Sequence, residues 1–338
     1  MENRPGHCAP NEQRYRRQSG KPALSRGKPI LYSWWIMASP PSSYNPVIPL
    51  ALLFTIGALW GFFFILIKTG VTGGVAPVSY VFWFSLGAGI IVLCVGLLRG
   101  EVPRLERLHL KYYVKASLAR FTFANIILYT AQGKLPIGLM AVIMATTPIF
   151  TYMLSLAFRV ERLIGIRVIG VLLGIGGAMM IVLPRSSLPD PSLALWVLIG
   201  FCVPLMHGAA YVLLSEKHRP PGSTSLGIAA GTLLATAIMS LMLALAAGQF
   251  QMLWPPFSKG ELALMLHFTL AGFNFYAMFE LIRIAGPTYM SQSSSLAVGF
   301  GVLFGYLILG ETLSLWVWGA IALILSGVAL VSSRRRDA

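Results

Sequence analysis

The chain has 338 residues, of which 56% are apolar and only 11% charged, with a mean hydropathy of +0.74. So little polar side chain cannot coat a water-soluble globule, and lipid is the expected solvent for most of the molecule. Lysine and arginine number 26 against 11 acidic residues. In a soluble protein that excess would point to nucleic acid, but here it is first tested against membrane topology.

Residues 1–46 form a basic, Pro/Gly-rich tail without the apolar core and small-residue cleavage site of a signal peptide. Its apolar patch, Ile30 to Ala38 with Trp34 and Trp35, is too short to span a membrane and long enough only to lie at the interface. Met37 offers an alternative start, because the apolar pattern begins just after it. Runs of about 20 apolar residues follow near 47–67, 78–98, 114–133, 136–158, 163–183, 193–214, 225–247, 262–282, 287–309 and 314–333. The third carries Lys115 and Arg120 near its start and the eighth Glu280 and Arg283 near its end, which makes these two the weakest spans. Residues 334–338 close the chain as a short basic tail. Cys8, Cys94 and Cys202 are odd in number and show no CxxC pairing, so neither a metal knuckle nor a disulfide framework is expected.

With the amino terminus placed inside, 22 of the 26 positive residues fall on the inner side and only Lys68, Lys134, Arg185 and Lys259 on the outer side. This is the asymmetry that orients polytopic proteins, and it puts both termini in the cytoplasm. The two halves also resemble each other at a spacing of 150 residues. Arg-Val-Glu-Arg-Leu, ending at Leu163, aligns with Leu-Gly-Glu-Thr-Leu, ending at Leu313, so that Glu161 falls on Glu311. Met140 falls on Met290, Phe150 on Phe300 and Gly177 on Gly327, while Trp60-Gly61 falls on His207-Gly208 at a spacing of 147. A duplicated unit with an odd number of spans must insert upside down in its second copy. The charges agree: the link at Glu161 carries Arg159, Arg162 and Arg167, and the link at Glu311 carries no positive residue. The expected fold is therefore an all-α membrane protein of ten transmembrane helices, arranged as two inverted five-helix repeats over 47–183 and 193–333, a recurring plan of secondary transporters.

Five-span repeats, Trp60-Gly61 in the first span, a small and polar fourth span with Pro148, and Glu161-Arg162-Leu163 before a Gly-rich fifth span resemble the EamA-type transporters of the drug/metabolite transporter superfamily. The second copy, from Gly286-Pro287 through Leu309-Gly310-Glu311-Thr312-Leu313 to Gly327, is the closer match, and the similarity covers 47–333. In the first copy Val160 stands where the second has Gly310. The resemblance implies a ten-helix secondary carrier for amino acids, nucleoside-like metabolites or drugs, usually exported; the compact loops suggest a bacterial inner membrane.

Candidate site residues follow from what is costly in hydrocarbon. His207 in the sixth span, beside a possible helix break at Pro204, and Glu280 and Arg283 in the eighth are the ionisable groups this reading places at membrane depth. Glu280 is the candidate for proton coupling, set against simple neutralisation by Arg283 one helical turn on. Trp60, Asn125 and Tyr129, the last two corresponding within a residue to Asn274 and Phe279 in the second copy, together with Tyr276 in the eighth span and Gln292 and Ser294 in the ninth, offer amide, hydroxyl and aromatic partners for an uncharged or zwitterionic solute. The alternative for each is polar stitching between helices. Glu161 and Glu311 are expected to anchor the start of the helix that follows each, and Gly177 and Gly327 to permit close helix packing. No HExxH, GxSxG or acidic dyad suggests an enzyme. No metal or other cofactor is expected. The expected partners are a small-molecule solute, protons for coupling and the lipid bilayer, against which the basic tails are better placed than against nucleic acid. A non-transporting receptor or scaffold is the remaining alternative.

Overall fold

A computed structural model describes residues 47–159, 163–182, 191–213, 220–285 and 287–332. The described residues are helical apart from short links. Helix α1 (Val47–Thr72) and α2 (Pro77–Arg99) are joined by a tight turn. The third expected span is α3 (Arg107–Ala116), a π-helical stretch (Ser117–Thr122) and α4 (Phe123–Lys134), and the fourth is α5 (Ile137–Ala145) and α6 (Thr147–Ala157). Then come α7 (Gly165–Val182), α8 (Ala194–Leu213), α9 (Ser225–Ala246), α10 (Lys259–Ala285), α11 (Pro287–Leu309) and α12 (Leu315–Ser332).

By length and composition α1, α2, the α5–α6 pair and α9 can each cross a membrane, and shorter apolar stretches lie in α7, α8, α11 and α12. The third and eighth segments fall outside both sets, in keeping with the charges they carry.

Local chemistry explains the irregularities. Pro148 has no N–H to give the Met144 carbonyl, so the fourth segment breaks at Thr146. The freed carbonyls are taken by side chains: Thr146 Oγ1 donates to Ile143 O at 2.6 Å and Thr147 Oγ1 to Met144 O at 2.7 Å. In lipid such repair is obligatory. The break expected at Pro204 does not occur, and α8 runs through that residue without interruption. The π stretch in the third segment is closed by a buried Ser117–Thr122 hydroxyl pair at 3.0 Å.

The principal contacts between the halves recur when the halves are exchanged. Helix α1 lies on α11 as α8 lies on α5 and α6; α1 meets α10 as α8 meets α4; α2 meets α10 as α9 meets α3. Two equivalent pairs, α2 with α9 and α7 with α12, face each other directly. The correspondence extends to single residues. A Cβ at Gly61 would lie 2.6 Å from Phe300 Cβ and 2.8 Å from the Gly301 nitrogen. One at Gly208 would lie 2.9 Å from the Thr151 nitrogen and 3.2 Å from the Phe150 carbonyl carbon. These are the residues that the 147- and 150-residue spacings pair, so one contact is built twice with the halves interchanged. Helices α7 and α12 run antiparallel, with Gly170 against Gly327 O (2.6 Å from a built Cβ) and Gly177 against Ala320 O (2.9 Å). A shift of 150 residues carries the second contact onto the first.

The α7–α12 seam is therefore backbone against backbone. Gly327→Val should cost about 1–3 kcal/mol by overpacking and lower the thermal midpoint in detergent by several degrees. Gly176→Val, where a Cβ meets nothing within 4 Å, should leave the midpoint unchanged.

Candidate solute site and its flanking contacts

The inner faces of α1, α2, α4 and α10 converge on a buried aromatic cluster. The Tyr80 hydroxyl shares a 3.1 Å hydrogen bond with His267 Nδ1. The imidazole lies between Phe63 and Phe84, with ring centroids 4.7 and 4.4 Å away, and Tyr129 meets Tyr80 edge-on at 4.9 Å. Tyr80, Tyr129 and His267 are all buried. Gly70 makes room for the Tyr80 ring, which occupies the space a Cβ would need.

Of the expected site residues, Tyr129 belongs to this cluster. Asn125 is one turn away on the same buried face of α4, and Asn274 is two turns along α10 from His267. Two amides near it are unusual. Among the described residues, Gln132, fully buried on the face of α4 that carries Asn125, has no hydrogen-bond partner for either amide atom, and the Asn274 side-chain carbonyl has none either. Orphaned polar groups this deep are costly, and at a functional site they mark places where a water or solute can bind.

The other expected residues lie elsewhere. Trp60 packs with Leu53, Ile56, Leu281 and Ile284 in a separate apolar cluster. His207 is half-buried on α8 beside the Gly208 crossing. Tyr276 is held by Arg99, which donates to its hydroxyl at 2.7 Å and stacks over its ring at 4.5 Å. Glu280 is half-buried on the stripe of α10 that carries the exposed Leu266 and Phe273 at seven-residue steps. The side chains of Arg283, Gln292 and Ser294, and Glu161 as a whole, lie outside the described residues.

Glu311 does anchor a helix, but not the one expected. Its carboxylate accepts from Ile137 N at 2.9 Å and Gly138 N at 3.2 Å, at the start of α5 in the other half, instead of from the helix that follows it. Lys68 Nζ donates to Glu311 Oε1 at 2.9 Å and to Leu135 O at 3.1 Å. At the same end, the α9–α10 loop is strapped to the α1–α2 turn. The Ala76 amide donates to Gln251 Oε1, Gln251 Nε2 donates to Gly74 O, and Ser79 and Trp83 complete the strap through backbone atoms of Gln249 and Gln251. An apolar groove of about 440 Å³ between α6, α7 and α8 is lined by residues such as Ile149, Phe150, Gly174 and Phe201.

Sequence reasoning missed His267, Tyr80, Gln132 and Lys68. His267 could have been found, since it lies inside the eighth span and meets the same criterion that singled out His207. The others needed the helix pairing.

Apolar helices in two matching halves, with polar groups gathered on inner faces and at one end, define a polytopic membrane protein built by duplication. The chain belongs to the EamA-like transporter family, whose model matches residues 47–183 and again 194–333. It is therefore a membrane transporter and not an enzyme. It is 28% identical over 299 residues to the uncharacterized inner membrane transporter YedA of Escherichia coli strain K12, covering 86% of this chain and 92% of that protein, and matches YedA of strains CFT073 and O157:H7 equally. A protein of known crystal structure superposes with a TM-score of 0.57 at 20% identity, over 85% of this chain and 96% of its own, a likeness of fold alone.

Replacing Gln132 by Leu removes a buried amide that nothing among the described residues satisfies. It should leave stability unchanged or raise it by up to about 1–3 kcal/mol of recovered desolvation cost, read as an unchanged or higher thermal midpoint of the purified protein. Tyr80→Phe should instead lower stability by about 1 kcal/mol for the lost hydrogen bond, read as a lower midpoint.

Proposed function

We propose that the chain is a secondary carrier that moves small polar solutes across a bacterial inner membrane by alternating access, with 47–183 and 193–333 acting as inverted five-helix repeats. The observation that carries this reading is the twice-built crossing, Gly61 on Phe300–Gly301 and Gly208 on Phe150–Thr151. Two packings that are interchanged by swapping the halves have similar energies, so a rocking motion can exchange the environments of the two ends at little cost. The antiparallel α7–α12 seam supports inversion of the second copy, and the 22-to-4 split of positive charge supports cytoplasmic termini. The name of YedA supports the inner membrane.

For the solute, the aromatic cluster with its orphaned amides offers hydrogen bonds and ring faces and no formal charge. Such a lining suits an uncharged or zwitterionic molecule with a planar or apolar part. Proton coupling through Glu280 has to reckon with the exposed stripe that residue shares with Leu266 and Phe273.

The test is counterflow in liposomes with labelled amino acids, nucleosides and cationic drugs, with and without a pH gradient. One class should exchange. Asn274→Ala and Gln132→Leu should each reduce that exchange about tenfold or more while the protein stays folded, since each removes a hydrogen-bonding group from the solute and not from the fold. Gradient-driven uptake lost in Glu280→Gln would assign coupling to that carboxylate, and uptake retained would remove it. Absence of exchange by every class, from folded protein, would favour a receptor over a carrier.

A further inference from the structure

We propose that Lys68, Glu311 and the first turn of α5 form the gate that closes one end of the transport path, and that opening this end requires Glu311 to leave α5. This inference rests on the alternating-access reading and assigns its moving contact.

The three parts come from three places in the chain. Lys68 is near the end of α1, Ile137 and Gly138 open α5, and Glu311 lies in the α11–α12 turn, so the first half supplies two parts and the second half one. The Glu311 carboxylate receives three donors, Lys68 Nζ at 2.9 Å, Ile137 N at 2.9 Å and Gly138 N at 3.2 Å. Lys68 gives a further N–H to Leu135 O, the carbonyl next to the turn that α5 leaves. Both side chains are largely withdrawn from solvent, at 22% and 13% exposure. A charged pair so placed is favourable only when most of its donors and acceptors are matched, and here an ammonium and a helix amino terminus share one anion.

The position explains why this should be a gate and not only a brace. Rocking of two halves about an exchange axis separates them at one end while closing them at the other. A contact across the halves at one end must therefore break once in every cycle. Glu311 sits at the end where the α9–α10 loop is strapped to the α1–α2 turn, so the described arrangement has this end closed. Gln132, one turn before Leu135 and fully buried, lies behind the gate. Under the charge asymmetry this end is the outer one. The turn itself brings the carboxylate into place: Gly310 adopts a φ of +66°, and the Glu311 side chain folds back over Gly305, whose built Cβ would meet Oε2 at 2.9 Å. The pair is also selective in sign, since the amide groups of α5 can be satisfied only by an acceptor.

The experiment uses the full chain with Cys8, Cys94 and Cys202 replaced by Ser and a reporter, Gln132→Cys, in liposomes, reading the rate at which a membrane-impermeant thiol reagent labels the reporter from the outer side. Labelling should be slow with Lys68 and Glu311 in place and about tenfold faster or more in Glu311→Gln, the change expected for losing charge-assisted hydrogen bonds that favour one state. Lys68→Cys with Glu311→Cys, joined by a short bifunctional thiol reagent before the reporter is tested, should suppress labelling until a reductant is added. Exchanging the charges, Lys68→Glu with Glu311→Lys, should not restore slow labelling, because an ammonium at 311 faces the donors of α5. Equal labelling in Glu311→Gln and its parent at equal thermal midpoints, or full protection restored by the exchanged pair, would overturn the proposal. No step needs the solute, so loss of counterflow with state-dependent labelling intact would count against the carrier reading and not against the gate.

Discussion

The bundle rests on the approach of one half's backbone to the other's, which glycine allows at Gly61, Gly208, Gly170 and Gly327. In lipid there is no hydrophobic drive between helices, so association depends on van der Waals contact over surfaces that fit closely and on the few hydrogen bonds made across them. A methyl group at any of these glycines would overlap main-chain atoms of the facing helix, and the seam would have to open along its length. The same contacts are flat. Gly61 rests on Phe300 and Gly301 and Gly170 on the Gly327 carbonyl, while the Ile324 side chain fills the space at Gly177. A surface of this kind holds two rigid bodies together while leaving a second relative position within reach, which interdigitated cores do not.

Charge is consequently kept at the ends. Among the ion pairs of the described residues are Lys68 with Glu311 and Arg104 with Glu106, and the first joins the halves. A carboxylate this close to the hydrocarbon is stabilised because three donors converge on it, two of them backbone groups that α5 could not otherwise satisfy. Glu311 and the α5 terminus are thus each other's solution to one problem, the shortage of water at the end of a membrane helix. The Gln249–Gln251 strap solves it for the α1–α2 turn by the same means, giving its amides and carbonyls side-chain partners.

Architecture was the more legible part of the sequence because it is written in averages. Runs of apolar residues and the sides on which positive charge collects survive errors of several residues at each boundary, and each of the ten expected segments contains helix in the described residues. Equivalences such as Gly61 with Gly208 and Phe150 with Phe300 were also readable, and they turned out to be the residues that touch across the halves. The site was less so. Tyr129, Asn125 and Asn274 stood out as polar groups in apolar runs, yet the same test passed Tyr276, whose hydroxyl belongs to Arg99. Composition along one helix says that a polar group is costly but not which neighbour meets the cost. Pro204 and Pro148 show the same limit: both lie within apolar segments, and only the second, with Thr146 and Thr147 beside it to cap the freed carbonyls, marks a break.

The two-fold frame and the candidate site do not share the same symmetry. At the 147-residue spacing Phe63 falls on Ala210, and at the 149-residue spacing of Asn125 and Asn274 His267 falls on Leu118; between these spacings Tyr80 meets only Gly227, Ile228 and Ala229. The aromatic cluster, built from Phe63, Tyr80, Phe84 and Tyr129 of the first half and His267 of the second, is thus made once and not repeated, and the counterparts of Phe63, Tyr80 and His267 are small and aliphatic residues. The rocking motion proposed above needs halves that match, and the glycine crossings do match. Recognition of a solute that has no two-fold axis needs the opposite, a lining of hydroxyl, imidazole and amide that the exchange of halves does not repeat. Duplication followed by divergence of the inner faces meets both demands, because residues at the crossings are constrained by backbone contact whereas those lining the space between the helices are not. That division matches the resemblance between the halves, which holds at Gly61, Phe150 and Gly177 with their counterparts and fails at Phe63, Tyr80 and His267.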